Sequence, residues 1–354
     1  MKTDKVYRAI GLMSGTSLDG EIDVALIETD GVGFVKPIDF TTYAYDREIG
    51  DIVRACFGKK VRDEGVDKAE RLVTDVHIDA VKASGFEADI IGFHGQTITH
   101  DPDNAFTWQI GDGKRLAEET GIPVVADMRQ NDIRNGGQGA PLLPLYHKAM
   151  MAKQDQPALV LNLGGVANLT YIEGDDLIAF DCGPANALMD DFIRLRIGQA
   201  YDADGVLAAS GKVNSKILDS FLADSYFRLT PPKSLDRNQW SIDLVQDLRD
   251  SDGIATLMAM SVGGVVKAIE HLLHKPRRIY VCGGGAKNGY FLQTLSEQLN
   301  CPVMPLDDLG WNGDATEAEG FAYLAVRSLL GLSLTLPSTT GVTEALSGGA
   351  RFKA

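Results

Sequence analysis

The sequence predicts an α/β protein of two domains, each with a mixed sheet flanked by helices, facing each other across an interdomain cleft. Three observations carry that prediction. A strand, a glycine-bearing turn and a second strand occur at residues 7–27 and again at 158–172, roughly 150 residues apart. A third glycine turn, Gly283-Gly284-Gly285, follows the apolar run Arg278-Ile279-Tyr280-Val281-Cys282 and precedes Tyr290, Phe291, Leu292, Leu295 and Leu299 at helical spacing. A chain of 354 residues, 44% hydrophobic and 23% charged, is long enough for about two full cores. The domains are expected at 1–132, joined by the C-terminal segment 336–354, and at 133–335.

The opening strand, Tyr7 to Met13, runs into Ser14-Gly15-Thr16-Ser17-Leu18-Asp19-Gly20 and leaves along Ile22 to Ile27. A tip of small, hydroxylated and acidic residues offers backbone N–H groups, hydroxyls and a carboxylate. Converging N–H groups form an anion-binding concavity, and a carboxylate nearby holds Mg²⁺ through water. The same residue types fill ordinary turns, so the tip alone leaves both readings open. Residues 40–45 form the next strand. Residues 63–84 carry apolar positions at helical spacing (Val66, Ala69, Leu72, Val73, Val76). Residues 88–94 form a short apolar strand ending at Gly95-Gln96-Thr97. Trp108 to Gly113 leads into a helix with Leu116 and Ala117, and residues 123–126 are a strand.

The segment 127–141 is polar and glycine-rich and reads as a crossing between domains or a site loop. Residues 158–163 form a strand, Gly164 to Asn168 a turn, and Leu169 to Ile172 the returning strand. Leu177 to Phe180 is a further strand, with Asp181 on the loop beyond it. The junction at Gly283–Gly285 places N–H groups at a helix N-terminus, a seat for an anion, although a tight structural turn fits it equally. Phe321 to Leu330 is a core helix and residues 334–341 an exit loop.

The formal charge of −15 repels a duplex or an anionic membrane, and no basic patch offsets it. Four cysteines without a CxxC pair argue against a zinc site or a disulfide framework. No apolar run approaches the roughly 20 residues of a membrane span, and the charged start lacks the apolar core of a signal peptide. The expected partners are therefore small molecules, with no nucleic acid and no membrane, in a cytoplasmic setting; a homodimer is compatible with the chain.

Three glycine turns on two domains resemble the ATPase fold shared by actin, sugar kinases and heat-shock chaperones. The ordered motifs narrow the match: Met13-Ser14-Gly15-Thr16-Ser17-Leu18-Asp19-Gly20, Gly92-Phe93-His94-Gly95-Gln96-Thr97, Gln109-Ile110-Gly111-Asp112-Gly113, Gly136-Gly137-Gln138-Gly139-Ala140-Pro141, Asn162-Leu163-Gly164-Gly165-Val166-Ala167-Asn168, Phe180-Asp181-Cys182-Gly183-Pro184 and Val281-Cys282-Gly283-Gly284-Gly285. Together, nearly end to end, they resemble the bacterial anhydro-N-acetylmuramic acid kinases of cell-wall recycling. Two departures stand out. Met13 occupies the place where the broader fold starts its first phosphate loop with aspartate, so metal binding falls to Asp19 or Asp23. An extra residue around Glu21-Ile22 suggests a small bulge.

The resemblance implies ATP and Mg²⁺ as cofactors and an unusual acceptor. The bicyclic substrate has no free O6 hydroxyl, so water must open the 1,6-anhydro ring before O6 takes the γ-phosphoryl group. Asp181 matches the family's general base, though a carboxylate before Gly183-Pro184 also suits a turn or cap. Gly15, Thr16, Ser17, Leu18, Asp19 and Gly20 with Gly164, Gly165 and Asn168 are the phosphate-binding candidates, and Gly283, Gly284 and Gly285 would line the adenosine slot. Arg129 is the candidate for a lactyl carboxylate, since a guanidinium grips a carboxylate with two hydrogen bonds; a surface arginine at a helix start is the plain alternative. Gln96, Thr97 and Glu317 are candidates for sugar contacts, while Asp314 suits a helix cap. His94 is assigned no chemistry. Two other activities fit less of the pattern: a kinase for a different anhydro sugar such as levoglucosan, and a nucleotide-driven switch or filament module.

Overall fold

The computed structural model describes residues 5–15, 18, 20–235 and 239–354. Thirteen strands are found among them: β1 (Tyr7–Met13), β2 (Glu21–Thr29), β3 (Val35–Ala44), β4 (Ile90–Phe93), β5 (Gln96–Asp101), β6 (Phe106–Ile110), β7 (Val124–Ala126), β8 (Ala158–Leu163), β9 (Val166–Glu173), β10 (Asp176–Pro184), β11 (Arg278–Cys282), β12 (Val303–Pro305) and β13 (Ala350–Phe352). The helices are α1 (Arg47–Arg54), α2 (Glu64–Ser84), α3 (Gly113–Thr120), α4 (Gln130–Arg134), α5 (Pro144–Met150), α6 (Asn186–Ile197), α7 (Val206–Ser210), α8 (Ser215–Leu222), α9 (Asp250–Ile269), α10 (Gly289–Leu299), α11 (Thr316–Leu329) and α12 (Pro337–Thr340).

The chain divides into two compact units, Met1–Ala152 with Ala315–Ala354, and Lys153–Asp314. The boundaries lie elsewhere than at 132/133 and 335/336. Residues 133–152 and 315–335 belong to the first unit because α11 lies on β1, β2 and β4 and α5 packs on α11.

The sheet of the first unit has the order β13-β7-β4-β1-β2-β3. β1, β2 and β3 form an antiparallel meander, and β4 and β7 run parallel to β1 and to each other on its other side. The sheet of the second unit, β10-β9-β8-β11-β12, repeats the design. There β8, β9 and β10 are the antiparallel meander and β11 and β12 the parallel continuation. The order β3-β2-β1-β4-β7 is thus matched strand for strand by β10-β9-β8-β11-β12. This is the duplicated sheet of the actin- and sugar-kinase-type ATPase fold that the sequence predicted.

Local chemistry explains why these segments form. Asp63 caps α2 by accepting the Val66 N–H at 2.9 Å, and Asp112 caps α3 through Arg115 N–H at 3.0 Å, each satisfying a donor the helix leaves open. In the first unit, Gly11 of β1 and Gly92 of β4 stand side by side in the ladder. A Cβ on Gly11 would lie 1.7 Å from the Ala318 carbonyl oxygen, and one on Gly92 2.1 Å from that of Phe321. The two glycines form the trough in which α11 rests on the sheet, and no other residue fits there. In the second unit, α9 packs on β10 and on α6, α7, α8 and α10. Its residues Ile254, Leu257, Met258, Met260, Val262 and Val265 are buried. By length and composition this helix could cross a membrane; the expectation that no segment qualifies is corrected here, and within the unit α9 is a core helix.

The opening turn needs no bulge at Glu21-Ile22. β1 and β2 pair without a register shift up to Met13 opposite Asp23, and the irregularity of β2 lies at Leu26/Ile27, facing β3.

Candidate active site

Each unit presents its candidates at the ends of the strands, and each is described separately. In the first unit, Thr16, Ser17 and Asp19 lie outside the described residues. Leu18 is held by a hydrogen bond from its N–H to the Gly15 carbonyl at 3.3 Å, and its side chain is buried with Val53, Cys56 and Val66. The Gly20 carbonyl accepts from Tyr45 N–H at 2.7 Å. Leu18 therefore anchors the turn in the core, and its backbone is what it can offer a ligand. Asp23 closes the β1–β2 ladder opposite Met13. Directly paired residues project to the same face, so Asp23 sets a carboxylate beside the position that lacks one.

Arg129 is not a surface arginine. It stands at the start of α4, half-buried, with Nε and Nη2 each 3.1 Å from His94 Nε2 and Nη1 donating to the Gly139 carbonyl at 2.7 Å. Burial, and then the guanidinium itself, hold His94 well below the usual imidazole range. The ring therefore stays neutral and accepts from Arg129. The ring also packs on Phe321 of α11, with centroids 4.5 Å apart. Glu317 lies four residues before Phe321, on the same helix face and half-buried. Arg129, His94 and the first turns of α11 are thus brought to one place. Gln96, 1% exposed, begins β5, and Thr97 Oγ1 accepts from Gln109 Nε2 at 3.1 Å. Asp314 does not cap α11, whose start has no side-chain cap; it pairs with Lys287 at 2.9 Å.

In the second unit the glycine turn is tighter than expected. β9 already begins at Val166, which leaves Gly164-Gly165 as a two-residue turn and puts Asn168 inside the strand. Asn168 pairs with Asn162 on one side and Asp181 on the other. Asn162 in turn pairs with Cys282. Cys282, Asn162, Asn168 and Asp181 form one row across four strands, so their side chains share a face. Asp181 does not sit on a loop: β10 continues to Pro184, with a register shift between Asp181 and Gly183.

Gly283 has φ +77°, and a Cβ there would meet Asn162 Oδ1 at 2.5 Å. The glycine run continues into a single 3₁₀ turn, Gly284–Lys287, and α10 starts only after Asn288, which caps it through Phe291 N–H at 3.0 Å. The glycines therefore do not open the long helix. They meet Asn186 instead, whose Nδ2 lies 3.2 Å from a Cβ placed on Gly284 and donates to the Leu163 carbonyl at 2.8 Å. Asn186 N–H donates to the Gly164 carbonyl at 2.9 Å. Asn186 joins both glycine turns of this unit, a role no local pattern in the sequence announces.

β10 is the outermost strand of its sheet, and a second segment covers it at Asp181. Asp181 N–H donates to the Lys233 carbonyl at 3.0 Å, and Tyr226 Oη donates to the Asp181 carbonyl at 2.6 Å. Leu235 N–H donates to the carboxylate oxygen Oδ2 at 2.8 Å. Asp181 is 9% exposed, and this backbone bond fixes its carboxylate. Among the described residues no group of three or more His, Cys, Asp or Glu could hold a metal ion.

A family model described as anhydro-N-acetylmuramic acid kinase matches residues 7–354. An anhydro-N-acetylmuramic acid kinase of Rhizorhabdus wittichii is 48% identical, over 96% of this chain and 97% of the relative. Its namesake from Zymomonas mobilis is 46% identical over 96% and 98%, and that from Rhodospirillum rubrum 45% identical over 100% and 96%. With that identity over almost its whole length, on a duplicated kinase-type sheet, the chain belongs to the anhydro-N-acetylmuramic acid kinase family.

Proposed function

We propose that the protein uses ATP and water to convert 1,6-anhydro-N-acetylmuramic acid to N-acetylmuramic acid 6-phosphate and ADP, a step of cell-wall recycling. The observation that carries this reading is Asp181, a nearly buried carboxylate fixed by Leu235 N–H at a strand irregularity. A fixed, ionised carboxylate suits a base that works beside a carbon gaining positive character. Asp181 takes a proton from water. The water oxygen bonds to the anomeric carbon as that carbon's bond to O6 breaks. The freed O6 attacks the γ-phosphorus, and the bond to the β-phosphate oxygen breaks to leave ADP.

Phosphoryl transfer rests on positioning and charge stabilisation. Gly15, Thr16, Ser17, Leu18, Asp19, Gly20, Gly164, Gly165 and Asn168 would serve it. Gly283, Gly284 and Gly285 would lie against the adenosine. Arg129, held by neutral His94 and by Gly139, would grip the lactyl carboxylate, with Gln96, Thr97 and Glu317 on the sugar. Mg²⁺ takes one or two carboxylates through water besides phosphate oxygens. Asp23, in the Met13 row, fits that donor set, with Asp19 the other candidate. The ion would neutralise phosphate charge.

Mass spectrometry of the products formed from ATP and the anhydro sugar in ¹⁸O-water tests the reading. Label at the anomeric hydroxyl with phosphate on an unlabelled O6 is the expected result. Label on O6 overturns it.

A further inference from the structure

The corner around Asp181 holds a second buried charge that the reaction above does not use. Lys233 is 7% exposed. Its ammonium donates to the Tyr226 carbonyl at 3.0 Å and lies 4.5 Å from the Tyr226 ring centroid and 5.6 Å from that of Phe180, the residue before Asp181. No carboxylate among the described residues forms an ion pair with it. Withdrawing an ammonium from water costs several kcal/mol unless its charge is compensated. Two aromatic faces and one carbonyl recover part of that cost.

The three residues are tied in a closed circuit. Asp181 N–H bonds to the Lys233 carbonyl, Lys233 Nζ to the Tyr226 carbonyl, and Tyr226 Oη to the Asp181 carbonyl. Leu235, two residues beyond Lys233, donates to the carboxylate itself. Each bond uses a different group, so the circuit fixes the strand and the covering segment against each other.

We propose that Lys233 is a positioning residue for Asp181: its circuit through Tyr226 fixes the covering segment against the strand and so holds the carboxylate in place. This rests on Asp181 being the base. The titratable groups facing the corner come from every neighbouring element. Cys182 is on the same strand, Tyr226 is in the 3₁₀ turn Ser225–Arg228, and His271, past the end of α9, has its ring 6.1 Å from Phe180. β9 contributes the neutral Asn168. Burial, and then Asp181, push the Cys182 thiol and the Tyr226 phenol up, so both stay neutral. Burial draws Lys233 down.

The test measures sugar-dependent ADP release against pH for Lys233→Met, Lys233→Arg, Tyr226→Phe and Asp181→Asn in the full chain. Lys233→Met is expected to lower kcat on the order of 10-fold across the pH range and to leave KM for ATP within about twofold. Lys233→Arg, which keeps a donor for the Tyr226 carbonyl, restores most of kcat. Tyr226→Phe cuts one bond of the circuit and lowers kcat in the same way. An undiminished kcat in Lys233→Met overturns the proposal. If Lys233→Met does not fold, an undiminished kcat in Tyr226→Phe does so. Retained activity in Asp181→Asn removes the base, and the proposal with it; an inactive Asp181→Asn with an undiminished kcat in Lys233→Met removes the proposal alone.

Discussion

β3 and β10 occupy the same position in two sheets of the same order, yet one is bare and the other covered. No residue of β3 is buried, whereas seven of the nine positions of β10 are. The sheet of the first unit gains its cover from α11, seated on Gly11 and Gly92, over its central strands. In the second unit the chain beyond β10 builds α6 to α9 and the 226–235 segment, which closes over the strand's outer edge. A bare edge strand has to blunt its own pairing capacity. β3 does so with Lys36, Pro37 and the register shift opposite Leu26/Ile27. A covered edge can instead bury a carboxylate and control its surroundings. The topology is shared, and the proposed base lies where an extra layer was added.

Removing the carboxylate from the covered strand is expected to have the largest effect. Asp181→Asn keeps an acceptor for Leu235 N–H, so the fold should hold while turnover falls by about 10³-fold. A coupled assay for sugar-dependent ADP release together with thermal unfolding would check both halves. An alanine in the glycine trough of the first unit acts on stability instead. Gly92→Ala puts a methyl group into the Phe321 carbonyl and is expected to cost about 3 kcal/mol or more, read from denaturant unfolding. An unchanged midpoint would mean that α11 does not need the glycine trough.

The smallest expected effect concerns the helix in that trough. Glu319 of α11 is 1% exposed and accepts from Tyr146 Oη. Burial pushes its pKa up from 4.5 to about 7. The folded state thus holds this proton more tightly than the unfolded state does. The resulting stabilisation is complete below pH 4.5 and is lost as pH rises through 7. Glu319→Gln keeps an acceptor for Tyr146 and removes the ionisation. It is expected to match the wild type near pH 5 and to exceed it at pH 8 by up to roughly 3 kcal/mol. Parallel stability–pH curves would contradict the buried carboxyl as the cause.

Much of this could be read from the sequence where a local rule sufficed. Apolar spacing placed α2 at 63–84, and the strand at Arg278–Cys282 was read to the residue. Glycines inside β1 and β4 signal a close approach but not what approaches, so the return of residues 315–335 to the first unit was not legible. The strand carrying Asp181 was ended too early because Gly183-Pro184 has the composition of a turn, while the covering segment keeps it extended. Residues 185–275 yielded no reading. α9 is buried on most of its surface and so lacks the polar stripe that marks a helix. The roles of Asn186, Tyr226 and Lys233 arise from partners 23 to 45 residues away or at another strand's edge, beyond any short motif.

The division of the chain also orders its assembly on the ribosome. Lys153–Asp314 is continuous, whereas the first unit takes α11 and β13 from the last part of the chain. Domains fold as units as they emerge, so the second unit has all its residues available while the first still lacks a helix and an edge strand. The glycine trough of Gly11 and Gly92 stays open until α11 is made, and the five strands of that sheet made earlier depend on this later helix to be shielded.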